Sequence, residues 1–262
     1  MLKKKRISGY TIVNIISLVL FFVCWELVVK TGLISSEKLS APSAIVKLFI
    51  TKLTETYPDG ATIQANTWAS MRIVLKGFCL ACVIGIPLGL VMGFFRPAEC
   101  FFRPVFEMLR PIPTLAWVPI ILLMLGIGDG GKTCIIFIGS VVSLTINTYT
   151  GIKGTKKVLL DVAQVGGATR MQMFFRVGVP SAVPMIFTGL RIALGISLAT
   201  LVAAEMVAAT CGLGYMMNQG RKLMITDLIF LGVVVIGVIG YAANLLMGWI
   251  EHNIAPWAEE DR

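Results

Sequence analysis

Asp161 to Arg191, DVAQVGGATRMQMFFRVGVPSAVPMIFTGLR, is a polar, small-residue stretch set between two apolar runs, each long enough to cross a bilayer. A segment so placed lies at a membrane surface, in water, open to a partner. It has an acidic start at Asp161, followed by Val162 and small residues at Ala163, Gly166, Gly167 and Ala168. Basic residues stand at Arg170 and Arg176, and prolines at Pro180 and Pro184. This order predicts a short docking helix from Asp161 to Arg170, a bend loosened by Gly166 and Gly167, a stop at the prolines, and re-entry into lipid.

Composition fixes the environment of that stretch. The 262-residue chain is 56% hydrophobic and 14% charged, with a mean hydropathy of +0.85. A soluble domain carries about 25% charged residues, so this is a membrane protein bound into a lipid bilayer. The net charge of +9 does not point to nucleic acid, because the basic residues sit at the ends of apolar runs, where topology determinants belong. The six cysteines lie mostly in or beside apolar runs and read as free thiols rather than a disulfide framework. Cys79 and Cys82 form a C-x-x-C inside one such run, where small packing residues are expected.

Outward from the polar stretch, apolar runs at 11–29, 68–93, 105–126, 133–150, 184–208 and 228–250 predict an all-α, polytopic membrane protein with about six transmembrane helices. The chain divides into an N-terminal span with an outer segment, 1–66, and a core of five spans, 67–262, that carries the loop 151–183. No small-x-small cleavage site follows the first run, so it reads as a retained span. Lys and Arg before that run and in the loops after the second and fourth spans place both termini in the cytoplasm. The bias is incomplete, since Lys38, Lys47, Lys52, Arg221 and Lys222 fall on outer segments.

Three features between the spans bear on function. Ser43 to Leu53 has a helical apolar period with Lys47 and Lys52 off that face, and it either lies on the outer surface or packs on the protein. Gly85, Gly89 and Gly93 give one helix three bare backbone patches, for a neighbouring helix or for a second copy of the chain. Pro111, Pro113 and Pro119 break or kink the third run near its start, and a broken helix at membrane depth is tolerated where protein or a water-filled cavity covers it. Pro111, Pro113 and Trp117 are therefore expected on a pathway.

The fifth span carries the charges that should cost most. Arg191 and Glu205, fourteen positions or about 21 Å apart along the axis, share roughly one face with Leu198 and Val202 between them. Intramembrane charge is by default functional, so this stripe is expected to face the pathway. The alternative has Arg191 reaching the cytoplasmic interface and Glu205 accepting hydrogen bonds from the Gly212-Leu213-Gly214 turn.

Other chemistry is poorly served. Gly126 to Thr133, GIGDGGKT, satisfies the phosphate-loop pattern, but near-span-length apolar runs flank it where a strand and a soluble helix are needed. His252 is the one histidine, which leaves no His-based triad or zinc cluster, and Asp129, Asp161 and Asp227 fall at loops. An enzyme is not expected.

The chain resembles the permease subunits of binding-protein-dependent ABC importers. Counting back from Pro180, Gly167 and Asp161-Val162-Ala163 fall where that family carries Gly and Glu-Ala-Ala in a cytoplasmic coupling helix, with Asp for Glu and Val for the first Ala. RPIPTLAWVP and GLRIALGISLATLVAAEMVAATCGLGYMM are similar to the taurine, aliphatic sulfonate and nitrate branch. The resemblance implies a homodimer in the bacterial inner membrane, two cytoplasmic ATPase subunits that bind ATP and Mg, and an extracytoplasmic substrate-binding protein. It implies no cofactor in this chain, and it gives Asp161 through Ala168, Arg170 and Pro180 the role of ATPase coupling. A self-sufficient secondary carrier or channel is the alternative, for which paired broken helices and midplane ion ligands are expected.

Overall fold

The computed structural model describes residues 9–259, in which every regular element is helical. The basic run at 3–6 and the last positions of the tail lie outside the described residues. In chain order the helices are α1 (Gly9–Lys30), α2 (Pro42–Lys52), α3 (Ile63–Phe94), α4 (Arg96–Leu109), α5 (Trp117–Leu125), α6 (Asp129–Lys153), α7 (Lys157–Val165), α8 (Arg170–Met173), α9 (Val179–Ala208), α10 (Leu213–Lys222) and α11 (Thr226–Ile254). Four continuous helical stretches, Ile63–Phe94, Asp129–Lys153, Arg170–Ala208 and Thr226–Ile254, are long and apolar enough to span, and α4 with the segment entering α5 forms one bent pair. The apolar α1 is 22 residues long, about 33 Å at 1.5 Å per residue and so also of spanning length.

α6 is the middle of the bundle, packed along α3 on one side and α9 on the other. The glycines of α3 explain the first contact. A methyl at Gly89 would lie 2.6 Å from the Thr145 carbonyl, and those at Gly85 and Gly93 would press on Thr145 and Ile152. The four-residue glycine ladder therefore seats α6 within one chain, which resolves its two readings in favour of internal packing. Across the other seam, Ser140 and Ser197 exchange a 2.7 Å hydrogen bond between α6 and α9.

The third span departs from its expected course. Residues 105–109 belong to α4, which meets the Thr114–Leu125 segment at 78°. The reason is electrostatic. Glu99, Arg103 and Glu107 stand four apart on α4, with Arg103 Nε 2.7 Å from Glu107 Oε1 and Lys153 Nζ 2.6 Å from Glu99 Oε2. Such a ladder belongs at a polar surface, so α4 is amphipathic and the chain turns inward only after Arg110, Pro111 and Pro113. α5 then ends at Gly126, whose φ of 76° closes the helix, and α6 begins at Asp129. The phosphate-loop pattern is thus a helix-to-helix turn, with Gly131 and Lys132 already inside α6.

At the opposite end from α7, α2 packs on the protein through Ile45, which joins Ile63, Leu213, Met216, Leu228 and Leu231 in a buried cluster. Lys52 does not stay at the surface. It is 1% exposed, with Nζ 2.5 Å from Asp59 Oδ1, and Asp59 in turn accepts from Asn66 Nδ2 at 2.5 Å. α2 ends at Lys52, six positions before the Pro58-Asp59-Gly60 turn.

Candidate functional site: an exposed elbow and a cleft

The elbow between α6 and α9 is built from two short helices and a cap. α7 starts at Lys157, a turn before the expected Asp161, and ends at Val165 instead of running to Arg170. Gly166 and Gly167 form a fixed cap, not a loose bend: Gly167 N donates to Gln164 O at 3.0 Å and Ala168 N to Ala163 O at 2.9 Å. This paired pattern needs a left-handed residue, and Gly167 supplies it at φ 76°. Thr169 then opens α8 with a capping box, its Oγ1 accepting from Gln172 N and Gln172 Oε1 accepting from Thr169 N.

The expected stop at Pro180 and Pro184 is absent, because helix continues from Arg170 to Ala208. A wide π turn, Phe174–Gly178, precedes the prolines, with Val179 N donating to Phe174 O. The widened turn leaves room where a proline ring would press on the preceding turn, and Pro180 falls in the first turn of α9. Phe174 anchors this joint, its ring 5.1 Å from Phe94 and 5.6 Å from Phe95.

No residue of α7 is buried. Val158, Leu159, Val162 and Val165 line one helical face, Val165 is 90% exposed, and Met171 and Phe175 beyond the cap are exposed as well. Asp161 and Arg170 are exposed polar groups on the same elbow. The elbow is thus a capped helix with an apolar face that no other described residue covers.

The second feature is a cleft of about 480 Å³ between the α4–α5 break, α6 and α9. Trp117 lines it, whereas Pro111 and Pro113 shape the break without lining the wall. From α9 the wall takes Met185, Ile192 and Ile196. The stripe expected there points elsewhere. Leu198 is buried with Ile73, Val74, Ile136 and Leu201, and Val202 faces α10 through its carbonyl against Gly214. Arg191 pairs with Glu251 of α11. Glu205 is 1% exposed, accepting from Ser70 Oγ at 2.8 Å and from Gly214 N at 2.8 Å. A helical wheel shows that these four share a face, but at about 100° per residue that face lies roughly a third of a turn from the cleft wall. The hydrogen-bonded alternative for Glu205 is the one found.

Residues 85–259, which contain the elbow, the cleft and every helix from the second half of α3 onward, match the family described as binding-protein-dependent transport system inner membrane component. The chain belongs to that family. The taurine transport system permease protein of Escherichia coli K12 is 32% identical over 257 residues, covering 97% of this chain and 92% of the relative. The nitrate import permease protein of Synechocystis PCC 6803 is 30% identical over 252 residues, covering 92% of this chain and 88% of the relative. Among solved structures, the inward-facing methionine ABC transporter MetNI contains a chain that superposes with a TM-score of 0.62 at 20% identity, covering 71% of this chain and 93% of that one. This binding-protein-dependent permease is thus a multi-pass membrane component of an ABC importer, and its family is one of transport rather than catalysis.

Proposed function

We propose that two copies of this permease form the translocation path for a small organic or inorganic oxyanion such as a sulfonate or nitrate. Two ATPase subunits, which bind ATP and Mg, seat on α7 and the Gly167 cap. A substrate-binding protein delivers cargo at the opposite face, where α2 and α10 lie. The termini and the elbow are cytoplasmic, in a bacterial inner membrane. The exposed apolar face of α7 is the single observation that carries this reading, since nothing among the described residues covers it.

The mechanism follows from stiffness. Phe174 packs with Ile152, Ala182 and Ile186, so a push on α7 is transmitted through the π turn into α9 and the inner end of α6. The prolines do not interrupt this lever, and Asp161, Val162, Ala163, Gly166, Ala168, Arg170 and Pro180 act as its contact and joint. The cleft reaches along α6 from Ile138 to Thr150, about 18 Å at 1.5 Å per residue, toward the end of α6 that leads into α7. An inward-open path is the state in which cargo leaves.

The test is the joint substitution Val162→Glu and Val165→Glu in the full chain co-expressed with its neighbours. The expected result is a chain that still inserts in the membrane but no longer retains ATPase subunits through purification. Undiminished retention, with the elbow left free, would falsify the reading.

A further inference from the structure

The inner half of the cleft carries one charged side chain, and it is a cation. Arg110 stands at the mouth where the chain turns inward, and it makes no ion pair among the described residues. The nearby carboxylates are taken: Glu107 is paired with Arg103, and Glu99 with Lys153, Arg103 and the Tyr149 hydroxyl. Facing Arg110, α6 presents Ser143, Asn147 and Thr150 at helical spacing, with Thr114 and Trp117 on the opposing wall. Asn147 spends one amide hydrogen on Ser143 O at 2.8 Å, and Thr150 bonds Ile146 O at 2.8 Å, which leaves a second Asn147 amide hydrogen. The Ser143, Thr114 and Trp117 donors form no hydrogen bond within the described chain.

A wall with one unpaired guanidinium, several neutral donors and no carboxylate favours ligands whose charge is spread over acceptor oxygens. We infer that Arg110, Ser143 and Asn147 form an anion-receiving wall on the exit side of the path, selective for small sulfonate- or carboxylate-type headgroups over cations. This deepens the proposed transport role and rests on it for direction of flow, while the wall's own electrostatics stand on the geometry of the single chain. Arg110 supplies long-range attraction, and the neutral donors replace water around the oxygens one at a time. With no second cation lining the cleft, the anion is held weakly enough to leave.

The probe is a thiol placed at Ile146→Cys, an apolar cleft position between Asn147 and Ser143 on the same wall. The full-length solubilised complex is treated with two membrane-impermeant methanethiosulfonates of similar size, one bearing a sulfonate and one a trimethylammonium. Modification at position 146 is read by peptide mass with the native cysteines in place, and each rate is divided by that for a free thiol. The sulfonate reagent is expected to be favoured roughly threefold or more at low salt, with the preference fading in 0.5 M salt as charges are screened. Arg110→Gln should abolish the preference and Arg110→Lys should keep it. An equal or cation-favouring ratio in the Ile146→Cys protein overturns the inference even if Arg110→Gln does not fold. A preference indifferent to Arg110→Gln also overturns it, and that is the result expected if the guanidinium reaches out to a lipid phosphate instead. None of these outcomes depends on ATPase retention, so failure here is separable from failure of the transport reading.

Discussion

Gly212 lies directly against the carboxylate of Glu205, so close that a methyl on Gly212 would sit 2.5 Å from the Glu205 carboxyl carbon. Gly212 also has a φ of 118°, which L side chains rarely adopt. The two residues hold together the end of α9 and the start of α10. Around them Ser70 Oγ accepts from Leu213 N at 2.9 Å, and Asn66 Oδ1 accepts from Gly212 N at 2.9 Å. Through Asn66 the network runs on to Asp59 and the buried Lys52.

Gly212→Ala should therefore be among the most damaging small substitutions in the chain. Backbone strain alone is worth about 1–3 kcal/mol, and the displaced carboxylate adds to it. Glu205→Gln keeps the acceptor for Gly214 N and should fold, whereas Glu205→Ala strands the Ser70 hydroxyl and Gly214 amide at about 1–3 kcal/mol. Thermal unfolding of the detergent-solubilised complex gives the order: wild type, then Glu205→Gln, then Glu205→Ala and Gly212→Ala. A Glu205→Ala protein as stable as wild type would remove the network's structural role.

The surface helix α4 supplies a pH prediction. Glu99 accepts from Lys153 Nζ at 2.6 Å and from Tyr149 Oη at 2.6 Å, and these two bonds hold its carboxyl below the ordinary carboxylate range. A carboxylate with a depressed native pKa contributes stability that is fully present above the unfolded value of about 4.3 and is lost as pH falls through the native value. The melting temperature of the wild type should thus hold between pH 6 and 8 and drop on acidification below about pH 4. Glu99→Gln should lower the neutral plateau and shrink the difference from wild type at acid pH. Parallel curves over the whole range would show that the tie between α4 and α6 carries no proton linkage.

What the sequence revealed and what it hid follow from the same physics. The elbow was legible because polarity between apolar runs has few explanations, and its spacing to Pro180 was specific. The course of α4 was not, because averaging hydropathy over residues 105–126 leaves out Glu99 and Arg103 just before it and dilutes Glu107 at its start. A helical wheel grouped Arg191, Leu198, Val202 and Glu205 correctly but carried no information on what that face meets. The cleft wall of Ser143 and Asn147 went unnoticed for the converse reason: neutral polar residues in an apolar helix raise no alarm, although their spacing at i and i+4 was visible. The burial of Lys52 was not legible, since its place off the apolar face of 43–53 says nothing of a partner, and only the fold brings Asp59 within reach.

The cap on α7 gives the sharpest separation between a hinge and a fixed joint. Gly167 has open space around its Cα, with nothing within 4 Å of an added methyl, so bulk as such should do no harm. Conformation is the constraint: the left-handed φ costs an ordinary L residue roughly 1–2 kcal/mol, and asparagine tolerates it better. Gly167→Val should leave insertion intact but release the bonds to Ala163 and Gln164, so that α7 no longer moves as one piece with α8 and ATP hydrolysis runs without uptake. Gly167→Asn should retain both cap bonds and most transport. ATPase activity with and without binding protein, measured beside uptake in proteoliposomes, distinguishes the two variants. If Val and Asn impair coupling equally, size at the partner's surface is the constraint, and the argument from backbone geometry fails.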